Sequence, residues 1–120
     1  MNVFDSSALL AFVQQEQGAG EVEVALEAGG VCSAANWSEV AQKCLEQGTW
    51  DRYRGVLLSY PLSVSPVSRS DAEEAARMWI QKPSLSLADK ICLALGKSNG
   101  AAVLTADQQW ADHPGVRLIR

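Results

Sequence analysis

Short apolar runs alternate with amphipathic segments along the whole chain. The first run, at residues 3–4, is followed at once by Asp5, Ser6 and Ser7, and then by a helical segment at 8–13. A strand that passes directly into a helix is the start of a βα unit. In open α/β sheets, polar residues at the carboxyl end of such a strand lie where ligands bind. Asp5 is therefore the first candidate for a functional side chain.

The same alternation continues to the end of the sequence. Strands at 3–4, 31–33, 62–65, 102–105 and 116–119 are separated by segments of helical period at 8–13, 21–28, 34–46, 50–58, 70–80, 87–99 and 107–111. This order predicts a mostly parallel sheet of about five short strands, flanked by helices. With 120 residues and no linker or repeat, the chain is expected to form one domain over 1–120.

The helical periodicity also predicts which side chains are buried. The expected core positions are Val22, Val24 and Leu26 in the second helix, Ala72, Ala75, Ala76, Trp79 and Ile80 in the helix at 70–80, Leu87, Ala88, Ile91, Cys92 and Leu95 in the helix at 87–99, and the separate residues Trp37 and Trp110.

Composition narrows the class of protein. Hydrophobic residues make up 48% and charged residues 20%, as in ordinary globular domains. No apolar run approaches the roughly 20 residues of a membrane span, and the amino terminus lacks the basic region of a secretory signal, so a cytoplasmic protein is expected. Cys32, Cys44 and Cys92 form no CxxC pair and are predicted to be buried, reduced thiols. The single histidine, His113, argues against a serine or cysteine triad.

Four acids occupy comparable places in the predicted layout. Asp5 and Asp107 follow strands, whereas Glu39 and Asp89 lie in the first turns of helices. Strand carboxyl ends and the starts of the following helices share one edge of a parallel sheet, so these carboxylates are expected to converge. Oxygen-rich sites of this kind suit Mg²⁺ or Mn²⁺. A bound cation would also reverse the local field, which weakens the argument that a net charge of −4 excludes a nucleic-acid partner.

Each acid also has a purely structural interpretation. The segments Asn36 to Glu39 and Ser86 to Asp89 both resemble capping boxes, and Asp5 and Asp107 have the position of helix caps. Caps, however, have no reason to gather at one edge of one sheet. Most remaining acids are typical of solvated helix faces, and Asp112 stays ambiguous.

The ordered set of motifs resembles the PIN-domain ribonucleases, and within them the compact VapC-type toxins of type II toxin–antitoxin systems. The segments that carry the resemblance are Phe4-Asp5-Ser6-Ser7-Ala8-Leu9-Leu10, Ser33-Ala34-Ala35-Asn36-Trp37-Ser38-Glu39-Val40, Leu85-Ser86-Leu87-Ala88-Asp89 and Val103-Leu104-Thr105-Ala106-Asp107-Gln108-Gln109-Trp110. Together they cover nearly the whole chain.

The resemblance implies a three-layer PIN-like α/β fold and a divalent-metal-dependent endoribonuclease that leaves 5′-phosphate and 3′-hydroxyl ends. It implies Asp5, Glu39, Asp89 and Asp107 as metal ligands and catalytic acids, with Ser7, Asn36 and Thr105 as polar support. It further implies a VapB-like antitoxin partner and a homodimer. A PIN nuclease of RNA processing, without a toxin role, is the alternative within the family.

Basic residues near the acids are few. Lys43 lies one helical turn from Glu39, and Lys90 adjoins Asp89, so either is a candidate for RNA contact. Arg52, Arg54 and Arg69 are further candidates. For each of the five, a solvated surface charge is the competing interpretation.

Two functions from other classes compete with the nuclease. A phospho-acceptor receiver domain has a similar size and topology, but it needs a clustered acidic pair after the first strand, where Asp5 stands alone. A PIN-like module that binds RNA or protein without cleavage is disfavoured by the intact set of four acids.

Overall fold

The computed structural model describes all 120 residues as five strands, six α-helices and one turn of 3-10 helix. In chain order the elements are β1 (Asn2–Phe4), α1 (Ser6–Val13), α2 (Ala19–Ala28), β2 (Gly30–Ser33), α3 (Ala34–Gln47), α4 (Trp50–Leu58), β3 (Leu62–Ser65), α5 (Arg69–Arg77), α6 (Leu87–Asn99), β4 (Ala102–Thr105), the 3-10 turn (Gln108–Trp110) and β5 (Val116–Leu118).

All five strands belong to one parallel sheet in the order β3-β2-β1-β4-β5. The first strand is therefore central, and the chain builds outward from it in both directions. The α/β class and the parallel sheet predicted from the sequence are confirmed. Such a reversal of strand order opens a crevice at the carboxyl ends of the central strands, where α/β proteins bind ligands.

Strand side chains alternate between two apolar layers. Val3 and Val103 pack on one face of the sheet against α6, and α5 packs on α6. Phe4 and Leu104 pack on the other face, in a core that includes residues of α1 to α4. Both faces are buried, as a parallel sheet requires, and the fold has the three layers expected.

Glycine is required at one point of close approach between the central strands. A Cβ at Gly30 would lie 2.2 Å from the carbonyl oxygen of Asn2 and 2.7 Å from the ring of Phe4. Gly48 and Gly100 end α3 and α6 in the left-handed conformation, with φ of +72° and +58°. The ends of these two helices predicted from the sequence are confirmed.

Several predicted core positions are wrong. Val24 is 67% exposed, Leu87 is 68% exposed, and Trp79 and Ile80 are each 64% exposed. Leu87 is the first residue of α6, and the buried residues of that helix begin only at Ile91.

The error in α5 has a clear geometric cause. The helix ends at Arg77, so Trp79 and Ile80 belong to the turn that follows. Its inward stripe consists of Asp71, Ala75 and Met78, at spacings of four and three. Ala72 and Ala76 lie one position further around the helix and are exposed.

Other core predictions are confirmed. Trp110 is buried, and the half-buried Trp37 packs edge-on against Trp50, with ring centroids 5.3 Å apart. The three cysteines are free and buried. None of the helices combines the length and apolar character needed to cross a bilayer.

Candidate functional site

Asp5 occupies the centre of the carboxyl edge of the sheet. It directly follows β1, its side chain is buried, and its N–H donates to the carbonyl of Leu104 on β4 at 3.0 Å. Although Asp5 is at the N-cap position of α1, its side chain makes no capping hydrogen bond. The structural interpretation of this acid as a helix cap is therefore wrong, and its carboxylate points to hydroxyl groups instead.

Two hydroxyls converge on the same oxygen of Asp5. Ser7 Oγ donates to Asp5 Oδ2 at 2.6 Å, and Thr105 Oγ1 donates to the same oxygen at 2.8 Å. Each hydroxyl also accepts a backbone N–H, Ser7 from Ala106 at 2.9 Å and Thr105 from Asp107 at 3.0 Å. The two hydroxyl oxygens are also 3.1 Å apart, but each carries a single proton, and the shorter distances assign both protons to Asp5.

The pKa of Asp5 is raised from 3.8 to about 6. Burial is the main cause, because it disfavours the charged form. The bonds from Ser7 and Thr105 lower the pKa, whereas the charges of Asp89 and Glu39 raise it. These two acids, from different helices, are thus close enough to act on the carboxyl group at the end of the central strand.

Glu39 is held by donors from two helices. Its Oε1 accepts from Ser6 Oγ at 2.9 Å and from Asn36 Nδ2 at 3.1 Å. The predicted capping box at 36–39 is not formed. The cap of α3 is Ser33, whose Oγ accepts the N–H of Asn36 at 3.1 Å. Glu39 therefore bonds to side chains at the crevice, and its Oε2 is left without a donor.

Asn36 connects α3 to the first turn of α6. Its side chain is fully buried, and its Nδ2 lies 3.4 Å from the carbonyl oxygen of Ala88, the residue before Asp89. Its amide oxygen accepts from Ser33 Oγ at 2.5 Å. The amide is thus fixed at both ends between the segments that carry Glu39 and Asp89.

Asp89 and Asp107 do serve as helix caps. Asp89 forms the capping box of α6 with Ser86, whose N–H donates to Oδ2 at 3.1 Å. Asp107 Oδ1 accepts the N–H of Gln109 at 2.9 Å at the start of the 3-10 turn. Each cap uses one carboxylate oxygen, so the structural and the functional interpretations are compatible for these two residues. Asp112, the ambiguous acid, is exposed.

The donor set suits a hard divalent cation. Each of the four acids has a carboxylate oxygen that accepts no short hydrogen bond: Oδ1 of Asp5, Oε2 of Glu39, Oδ1 of Asp89 and Oδ2 of Asp107. No group of three or more His, Cys, Asp or Glu side chains is closely gathered enough to hold one ion. A metal site here would therefore use one or two of these carboxylates together with several waters, as Mg²⁺ sites commonly do.

Basic residues frame only part of this edge. Lys43 is exposed one turn beyond Glu39, beside a shallow pocket of about 310 Å³, and Lys90 is half-buried next to Asp89. Arg69 begins α5 and pairs with Glu73 at 3.8 Å. The other two candidates, Arg52 and Arg54, are exposed on α4, where Arg52 lies over the ring of Tyr53 at 5.3 Å. Of the five basic candidates, Lys43 and Lys90 are therefore the ones close in sequence to one of the four acids.

A larger cavity than the one beside Lys43 lies elsewhere. It measures about 840 Å³ and is formed by the end of α6 and the start of β4, with Leu93, Gly96 and Val103 in its wall. It is at the amino edge of the sheet, away from the carboxylates. At its rim the exposed Arg77 and Lys97 both donate to the half-buried Glu74. Buried polar side chains converge at the carboxyl edge instead, which makes that edge the candidate functional site.

One residue of the network, Ser6, was not among the side chains singled out from the sequence. Its hydroxyl joins Asp5, which precedes it in the chain, to Glu39 on another helix. A serine at the start of a helix is common for local reasons. Only the position of α3 against α1 gives Ser6 a second partner.

The chain matches a known protein family over nearly its whole length. The family model described as PIN domain matches residues 3–116. No curated protein sequence matches the chain. A toxin-antitoxin complex from Klebsiella pneumoniae is 23% identical, with a TM-score of 0.82 over 100% of this chain and 98% of that one.

Two further solved structures have the same fold. The VapC20 toxin of Mycobacterium tuberculosis, which cleaves the sarcin-ricin loop, is 14% identical, with a TM-score of 0.72 and 97% of each chain covered. DNA-bound VapBC from Salmonella typhimurium is also 14% identical, with a TM-score of 0.72 over 98% of this chain and 95% of that one. At these identities the likeness establishes the fold.

Proposed function

Because the chain belongs to the PIN-domain family, we propose that it is a divalent-metal-dependent endoribonuclease and the toxin component of a toxin–antitoxin pair. The proposal rests mainly on one observation. Hydrogen bonds that involve side chains link Asp5 through Thr105 to the N–H of Asp107, and link Glu39 through Asn36 to the segment that carries Asp89. Ser6, the residue after Asp5, donates to Glu39, and all these contacts lie at the reversal point of the sheet. Caps alone do not require such a network.

Asp5 and Asp107 are the proposed principal metal ligands. Asp5 is central and rigid, because two oriented hydroxyls hold one of its oxygens and leave the other free. Asp107 is tied to the same assembly through the bond from its N–H to Thr105. Glu39 and Asp89 are proposed to bind the ion directly or through water, and to orient the attacking water.

Electrostatics explains why a cation belongs here. Two carboxylates 4 Å apart repel by about 4 kcal/mol at an effective dielectric constant near 20. Burial is the main cause of the raised pKa of Asp5, and repulsion from Asp89 and Glu39 adds to it. A bound divalent ion neutralises the charge and activates water for attack on a phosphodiester near neutral pH. Hydrolysis by this route needs no histidine, and it is proposed to leave 5′-phosphate and 3′-hydroxyl ends, as the likeness to PIN-domain ribonucleases implies.

The proposed substrate is RNA, with Lys43 and Lys90 as the first candidates for phosphate contact. Both flank the acids in sequence, and neither forms an ion pair in the structure. Arg52, Arg54 and Arg69 are proposed to extend the basic surface. A basic rim around an acidic centre lets the phosphate backbone approach the ion.

The proposed biological setting is a cytoplasmic homodimer neutralised by a VapB-like antitoxin. The toxin-antitoxin complex from Klebsiella pneumoniae and the VapBC complex from Salmonella typhimurium support this setting through their shared fold. Basic side chains of an antitoxin, placed over the carboxylates, would neutralise the same negative charge that the cation neutralises.

A cleavage assay tests the proposal. The full chain is incubated with a mixed pool of structured and unstructured RNAs in Mn²⁺ or in EDTA, beside Asp5→Asn and the control Glu46→Gln. Glu46 is an exposed acid on α3 that bonds only to Gln42. We expect Mn²⁺-dependent cleavage, with 5′-phosphate ends, by the natural chain and the control. Equal cleavage by Asp5→Asn would overturn the assignment.

A further inference from the structure

Ser6 lies between two carboxylates that repel one another. It is the first residue of α1 and is half-buried, with its hydroxyl oxygen 2.9 Å from Glu39 Oε1 and 3.5 Å from Asp5 Oδ1. A hydroxyl carries a single proton and can make only one strong donation at a time. The shorter distance assigns that proton to Glu39. Asp5 Oδ1 is left with a long contact only.

The position of Glu39 depends on this donation. Glu39 is on α3 and Asp5 is at the end of β1, so the relative position of the two carboxylates depends on side-chain contacts between separate elements. Without a donor between them, Glu39 is free to turn away from the negative charge of Asp5, toward Lys43 one helical turn along. Ser6 and Asn36 oppose that rotation by donating to the same oxygen, Oε1.

From this geometry we propose that Ser6 is a positioning residue that holds Glu39 beside Asp5 before any cation arrives. Its bond saturates Oε1 and leaves Oε2 of Glu39 and Oδ1 of Asp5 as the free oxygens. This inference rests on the proposed metal-dependent function. It adds one named hydrogen bond that keeps Glu39 in position. Ser6 itself is not proposed to touch the ion or the RNA.

Three substitutions separate this role from a general effect on folding. Ser6→Ala removes the donor, Ser6→Cys keeps the size with a much weaker donor, and Ser6→Thr keeps the hydroxyl. The matched control is Ser38→Ala, at an exposed serine on the same helix as Glu39. Each full-length variant is titrated with Mn²⁺ by calorimetry, and its melting temperature is measured in EDTA.

We expect Ser6→Ala and Ser6→Cys to bind Mn²⁺ about tenfold more weakly, as is typical when a group that orients a metal ligand is removed. Ser6→Thr should restore the affinity to within about twofold, and Ser38→Ala should match the natural chain. The melting temperature in EDTA should change little in all four variants. A merely structural serine would show the opposite pattern, with a lower melting temperature and unchanged affinity.

The outcomes also separate this inference from the proposed function. If the natural chain binds Mn²⁺ and Ser6→Ala binds it equally well, the positioning role is wrong and the metal site stands. If the natural chain binds no Mn²⁺ at millimolar concentration, the proposed function fails, and the role of Ser6 fails with it. Loss of affinity in Ser6→Thr as well as in Ser6→Ala would also contradict the inference.

Discussion

Thr105 Oγ1 donates to Asp5 Oδ2 at 2.8 Å, a bond between residues 100 positions apart in the chain. The bond joins the carboxyl ends of β1 and β4, which are neighbours in the sheet. The same hydroxyl accepts the N–H of Asp107. One threonine therefore connects two of the four candidate acids, and its removal should disturb both.

Thr105→Val should raise the pKa of Asp5 further and destabilise the fold. Burial raises the pKa of that carboxyl and the hydrogen bond from Thr105 lowers it, so loss of the bond should let the pKa rise further. The buried N–H of Asp107 also loses its acceptor, at a cost of about 1–3 kcal/mol. NMR titration of the Asp5 carboxyl carbon and urea denaturation measure the two effects. An unchanged pKa would contradict the assigned bond.

Asp5→Asn should stabilise the metal-free protein. The pKa of Asp5 moves from 3.8 to about 6 on folding, so ionisation of this carboxyl opposes folding by about 3 kcal/mol above pH 6. Asparagine removes the charge and retains an oxygen for Ser7 and Thr105. Urea denaturation at pH 8 in EDTA should show a free energy of unfolding higher by roughly 1–3 kcal/mol. A loss of more than about 1 kcal/mol would instead indicate a structural role for the carboxylate.

The stability of the natural chain in EDTA should fall as the pH rises from about 4 to about 7. In that window the folded state binds a proton at Asp5 that the unfolded state has released, so folding is favoured at the lower pH. Denaturation series at several pH values measure the slope. Asp5→Asn should lack this component, whereas Asp51→Asn, at an exposed acid on α4, should retain it. Identical slopes in both variants would refute the assignment.

Much of this fold followed from the sequence because its strands are short, buried on both faces and separated by well-marked helices. Apolar runs and glycines were enough to predict the number of strands, their parallel direction and the ends of α3 and α6. The order of the strands in space, with β1 central, does not follow from periodicity and is known from the structure.

The errors have physical causes. Periodicity cannot show where a helix stops, and α5 stops at Arg77, which leaves Trp79 and Ile80 exposed. It also cannot show that a polar residue such as Asp71 starts the inward stripe. In the site, Ser6 was missed because its second partner, Glu39, is brought to it only by packing of α3 on α1.

A pair of glycine substitutions tests the packing of the central strands. Gly30→Ala should destabilise the fold by at least about 2 kcal/mol, because the new Cβ would meet the backbone of Asn2. Gly55→Ala is the control. It is within α4, no atom lies within 4 Å of the added Cβ, and a gain of about 0.5–1 kcal/mol is expected. Thermal melts that rank the two variants in the reverse order would contradict the β1–β2 register.

The central claim is that the carboxylates at the carboxyl edge hold a divalent ion, and anomalous diffraction from crystals grown with Mn²⁺ tests it most directly. The account predicts a manganese peak within coordination distance of Asp5 Oδ1, with Asp107, Glu39 or Asp89 bound to the same ion directly or through water. Ordered manganese elsewhere on the protein, with none beside Asp5, would contradict it.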